Sequence, residues 1–107
     1  MIRVKFLIGN KQMTGFEIRG HAMFAENGKD IICAAVSSAV YMAANTITEI
    51  IGANADAKAD DGLMCVTLDK TDEQTETVLR GLELHLTELS KQYPENIKII
   101  YGGVKNA

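Results

Sequence analysis

Cys33 stands in Asp30-Ile31-Ile32-Cys33-Ala34-Ala35-Val36-Ser37, and His21 precedes it in Gly20-His21-Ala22. A thiol attacks a carbonyl only as the thiolate. The positive end of a helix and a nearby imidazole are the features that lower a cysteine pKa. If Cys33 sits in the first turn of a helix with His21 close by, the pair suits nucleophilic catalysis.

The elements that must position this pair follow from the apolar pattern. Ile2, Val4, Phe6 and Ile8 alternate with Arg3, Lys5 and Leu7, the period-two pattern of a half-buried strand. Gly9-Asn10-Lys11 turns the chain, and Met13 to Gly20 reads as the partner strand, with Phe16 and Ile18 on one face and Glu17, Arg19 and His21 on the other. From Asp30 to Ile51 the residues become small and apolar over a length that only a helix accommodates, with Asp30 as N-cap and Gly52 as stop. Ile31, Ile32 and Cys33 then occupy the first helical positions, where backbone amides lack intrahelical acceptors. This helix is apolar nearly all round, so the sheet and a further helix or a second subunit must cover it.

Ala53 to Ala59 and Leu63 to Leu68 form a second strand pair around Asp60-Asp61-Gly62, with Met64, Val66 and Leu68 on the better-buried face. Thr71-Asp72-Glu73-Gln74 has capping-box spacing and opens a helix. Its apolar side carries Val78, Leu79, Leu82, Leu86, Leu89 and Tyr93 before Pro94 ends it. Ile97 to Tyr101 is a last strand. The order ββαββαβ without linker or repeat predicts one α+β domain over 1–107, a two-layer sandwich of a mixed or antiparallel sheet packed by two helices.

Composition narrows the function. A chain of 107 residues with 47% hydrophobic content can bury one core. A net charge of −3 and a pI near 5.3 give no reason to expect direct nucleic-acid binding. Two cysteines on different elements do not make a disulfide framework, which favours a reduced, cytoplasmic setting. The run from Ile31 to Ala44 is interrupted by Ser37 and Ser38 and falls short of a bilayer span, so no membrane partner is expected.

Gly20-His21-Ala22 followed by Gly28-Lys29-Asp30-Ile31-Ile32-Cys33-Ala34-Ala35-Val36-Ser37 resembles the signature of the ribosomal-processing cysteine protease family, Prp. The resemblance covers the whole chain in length and element order. It implies an endopeptidase that removes the N-terminal extension of a large-subunit ribosomal protein, cutting after an aromatic residue in an apolar context. It further implies Cys33 as nucleophile, His21 as general base, no cofactor, no metal and a homodimer. Asp30 either caps the helix or also orients His21. Ser37 lies one turn after Cys33 and either bonds to the site or returns its hydroxyl to the Cys33 carbonyl. Gly20 supplies a positive φ or admits close approach of substrate. Met23 and Phe24, ahead of Gly28, form a substrate-gating lid or anchor the loop to the core.

Other residues offer less. Cys65 reads as a half-buried filler, and His85 as packing at the edge of the second helix. A zinc site from His21, Cys33, Cys65 and His85 lacks the usual ligand spacing, and a redox role for Cys33 lacks a Cys-x-x-Cys partner. The alternative to an enzyme is a non-catalytic, ribosome-associated interaction module that owns a reactive thiol.

Overall fold

The structure is a computed structural model that describes residues 1–20, 31–60 and 62–103. Its elements are β1 (Ile2–Gly9), β2 (Gln12–Gly20), α1 (Ile31–Asn45), a π-helical turn over Thr46–Ile51, β3 (Ala55–Asp60), β4 (Leu63–Leu68), α2 (Glu73–Gln92) and β5 (Ile97–Gly103). The order is ββαββαβ, and five strands form one sheet in the order β3-β4-β2-β1-β5. β5 runs parallel to β1 and every other pair is antiparallel, so the sheet is mixed.

Both helices share one core with one face of the sheet. Ile2, Val4, Phe6, Phe16, Ile18, Val66, Leu68 and Ile97 from the strands are buried in the same cluster as Ile32, Val36, Val40, Ala43, Ala44 and Ile47, and as Leu79, Leu82 and Leu86 of α2. Alternation along β2 breaks once: Leu7 pairs with Gly15 but Ile8 with Met13, leaving Thr14 as an extra, bulged residue. The bulge turns Met13 onto the same buried face as Phe16. The start of α2 takes up the Met13 backbone, with its amide donating to Glu76 at 3.0 Å and its carbonyl accepting from the Thr71 hydroxyl at 3.1 Å.

Three local features differ from the sequence expectation. The helix that opens at Ile31 is not α-helical to its end. Its last turn widens to π geometry, where the Thr46 and Thr48 hydroxyls donate back to the carbonyls of Met42 and Ala44. Together the two parts form a 21-residue helical run, long and apolar enough to cross a bilayer, but its inner face from Ile32 to Ile47 is spent on the core. The cap of α2 is Asp72 paired with Thr75, one residue later than Thr71 with Gln74. Each of the two side chains accepts from the other's backbone amide, at 2.9 and 3.0 Å, while Thr71 is engaged with Met13. His85 is exposed instead of packed at the helix edge, because it lies one residue from Leu86 and so roughly 100° round from the buried stripe.

The Thr75 amide, and then its hydroxyl, hold the Asp72 carboxyl below its ordinary pKa. The folded state therefore binds fewer protons there than the unfolded chain. This contribution to stability is present above the unfolded pKa and is lost as pH falls through the folded one. Denaturation of wild type and Asp72→Asn across pH should show wild type more stable near neutrality and the gap closing below about pH 4. A gap independent of pH would contradict the cap.

Candidate active site

Burial sets how α1 faces the sheet. Ile32, Val36, Val40 and Ala43 recur every three or four residues and are buried, which leaves Cys33 and Ser37 on the shoulder of the helix. There they open into a cleft of about 130 Å³ between α1 and one end of the sheet. Val36, Val40, Ile2, Ile18 and Met64 give it apolar walls, and Tyr41, Asp60 and Gly20 lie along its lining. Cys33 is half-buried and packs against the core, in the third position of α1.

Of the two readings of Ser37, the back bond to the Cys33 carbonyl does not form. Its side chain is exposed and makes no hydrogen bond among the described residues, unlike Thr46 and Thr48 further along. Ser37 therefore presents a hydroxyl to the cleft one turn beyond the thiol. Gly20 ends β2 with φ of 93°, and its amide donates to the Gly62 carbonyl at 2.9 Å. A side chain here would run into the carbonyl of Met1, so the close approach that glycine admits is made by the chain's own N-terminus. Asp30, His21, Met23, Phe24 and Gly28 lie outside the described residues.

The second thiol is elsewhere. Cys65 stands beside Glu17 and Lys58 on the sheet face away from the helices, half-buried as expected, with its sulfur 3.8 Å from the Thr67 hydroxyl. Among the described residues no three potential ligands gather to hold a metal.

Tyr41 and Asp60 line the cleft without being candidates in the sequence, and Met64, which its alternation assigns to the buried face, lines it too. Tyr41 carries a signal, eight residues or about two turns after Cys33 on the same shoulder. Asp60 carries none beyond the turn it helps to form, because only the pairing of β4 with β2 brings that turn to α1.

A thiol at the start of a helix, above an apolar cleft at a strand end, is an arrangement for attack on a bound peptide. A model of the cysteine protease Prp family matches residues 1–98. This chain belongs to that family. It is a cysteine protease, and the non-catalytic alternative is set aside. The ribosomal processing cysteine protease Prp of Bacillus subtilis (strain 168) is 28% identical over 97 residues, covering 84% of this chain and 87% of its own. Its namesake from Staphylococcus aureus (strain Mu50) is 26% identical over 105 residues, covering 94% and 99%. Among solved structures, the S. aureus Prp protease with a covalently linked product peptide superposes with a TM-score of 0.85 at 27% identity, covering 94% of this chain and 99% of that one. SMU.848 from Streptococcus mutans gives 0.82 at 25% identity, covering 97% and 96%.

The geometry of Gly20 makes a direct prediction for this Prp-family cleft. Gly20→Ala forces a side chain into left-handed backbone against the Met1 carbonyl and should cost about 1–3 kcal/mol in urea denaturation. Wild-type stability in that variant would show that the β2 end is not held as described.

Proposed function

We propose that this protease removes the N-terminal extension of a large-subunit ribosomal protein during ribosome maturation, with Cys33 as nucleophile and His21 as general base. The observation that carries the reading is that Cys33 shares one cleft with Gly20, the residue bonded to His21. The names of the relatives, ribosomal processing proteases, support the substrate class. The apolar walls suit an aromatic or aliphatic side chain next to the scissile bond.

In this mechanism the Cys33 thiol gives its proton to His21 and the thiolate attacks the scissile carbonyl carbon. The oxyanion is held by backbone amides at the start of α1, whose first-turn donors lack intrahelical acceptors. His21 returns the proton to the leaving amine, so the C–N bond breaks and a thioester to Cys33 remains. Water, deprotonated by His21, then hydrolyses the thioester and restores the thiol. The Ser37 hydroxyl is available to donate to the bound peptide. Asp30, as helix cap or as the group that orients His21, and Met23, Phe24 and Gly28, as a gate or as a loop anchor, take the supporting roles in this proposal. A cytoplasmic setting keeps the thiol reduced.

The test is mass spectrometry of a peptide spanning the candidate extension. Wild type should cut once, after an aromatic residue. His21→Ala should be slowed by a factor of about 10² or more, and Cys33→Ala should still bind but not cut. Cleavage by Cys33→Ala, or none by wild type, would contradict the reading.

The proposed homodimer draws its support from the outer side of α1. Ile31 and Met42 are 65% and 67% exposed, with small Ala35 and Ser38 between them at helical spacing. Met42→Glu should shift wild-type dimer to monomer in sedimentation velocity. A monomeric wild type would end this part of the proposal.

A further inference from the structure

The sheet has a second face, which no described helix covers, and its charge is unlike that of the rest of the chain. Strand register places Leu63, Arg19, Arg3 and Lys98 in one row across β4, β2, β1 and β5, and Cys65, Glu17, Lys5 and Ile100 in the next. These residues alternate with the buried ones, so they point away from both helices. Arg19, Arg3 and Lys98 are exposed and stand side by side at about the 4.8 Å strand spacing, with Lys5 roughly 6.7 Å along β1 from Arg3. The Lys5 stem lies over Gly102, where any side chain would displace it.

Like charges on neighbouring strands repel, so this row costs stability unless an anion answers it. One carboxylate does so in part, since Glu17 pairs with Arg19 at 3.2 Å. Arg3, Lys5, Lys58 and Lys98 make no ion pair among the described residues. The other carboxylates of this face, Asp56 and Asp60, belong to the edge strand β3, with Lys58 between them. The net charge of −3 hides this polarity, because on the other layer α2 and its cap set Asp72, Glu73, Glu76, Glu83 and Glu88 against only Arg80 and Lys91.

We infer that this face docks RNA, with Arg3, Lys5, Arg19 and Lys98 gripping the phosphate backbone. A flat array of cations at regular spacing matches a repeating polyanion better than the scattered carboxylates of a folded protein. Among the described residues the large apolar side chains of this face, Leu7, Leu63 and Ile100, are half-buried, which suits a lipid surface less than a phosphate backbone. Among the described residues no aromatic ring lies on this face, so the proposed contact is to phosphates and binding is independent of sequence. The choice of RNA rests on the ribosomal reading above. The array begins at the end of the sheet that carries the cleft, where Leu63 belongs to both. RNA held here would bring a ribosome-bound substrate to Cys33.

The test is fluorescence anisotropy with a labelled RNA hairpin, a DNA hairpin of the same sequence, and phosphatidylserine vesicles, all without peptide. Wild type should bind the RNA with an affinity that falls steeply between about 50 and 200 mM salt. Arg3→Glu with Lys98→Glu should weaken binding at least tenfold and leave cleavage of the free peptide unchanged. The milder Lys98→Gln alone should lower the slope of log affinity against log salt by about 0.7–0.9. No RNA binding, binding insensitive to both variants, or tighter binding to DNA or vesicles overturns the inference. Because RNA binding is read without peptide and cleavage without RNA, failure of one does not imply failure of the other.

Discussion

The apolar seam along α1 is the constraint on which the remaining geometry depends. Ile32, Val36, Val40, Ala43, Ala44 and Ile47 are buried in one cluster with the inner faces of the strands, and each buried aliphatic side chain contributes on the order of 1.5–3 kcal/mol. That burial fixes the rotation of the helix about its axis. Once it is fixed, Cys33, Ser37 and Tyr41 must look into the cleft, and Ile31 and Met42 must look outward. A slip of one residue would rotate the thiol by about 100° and either bury it in the core or turn it away from the strand end.

The sheet supplies the other wall, and its order decides which pieces meet. With β2 between β1 and β4, the end of β2 lies against both the N-terminus and the turn between β3 and β4. Gly20 is the junction: its amide bonds to Gly62, and its lack of a side chain makes room for Met1. The cleft is thus assembled from four stretches of chain far apart in sequence. The same alternation that sends Ile2, Val4 and Ile18 inward sends Arg3, Lys5 and Arg19 outward, so one register serves the face that walls the cleft and a charged face.

What could be read from the sequence was whatever is encoded locally. Alternation in Ile2 to Ile8, the alanine-rich run after Asp30 and the leucine stripe of α2 gave the elements and their order. The Gly20-His21 and Asp30 to Ser37 stretches gave the family. Features that depend on a competing local bond are only partly legible in the sequence. Thr71 offers capping spacing, yet its hydroxyl goes to the Met13 carbonyl, and Asp72 with Thr75 forms the cap instead. Thr14 becomes a bulge, and the threonines after Asn45 widen the helix, because their hydroxyls and branched side chains offer the backbone alternatives to regular geometry. Non-local features were invisible. Strand order, the place of Asp60 in the cleft and the basic row all depend on which strands pair, and a net charge averages over two faces of opposite sign.

The central claim is that the Cys33 sulfur forms a covalent bond with the substrate acyl group. Quenching the reaction with acid in the first turnovers and mapping the protein by mass spectrometry tests it most directly. The account predicts a thioester on the fragment containing Cys33, heavier by the N-terminal portion of the peptide less one water, and appearing before free product accumulates. An adduct on Cys65, or steady cleavage with no adduct at any time when hydrolysis is slowed, would contradict it.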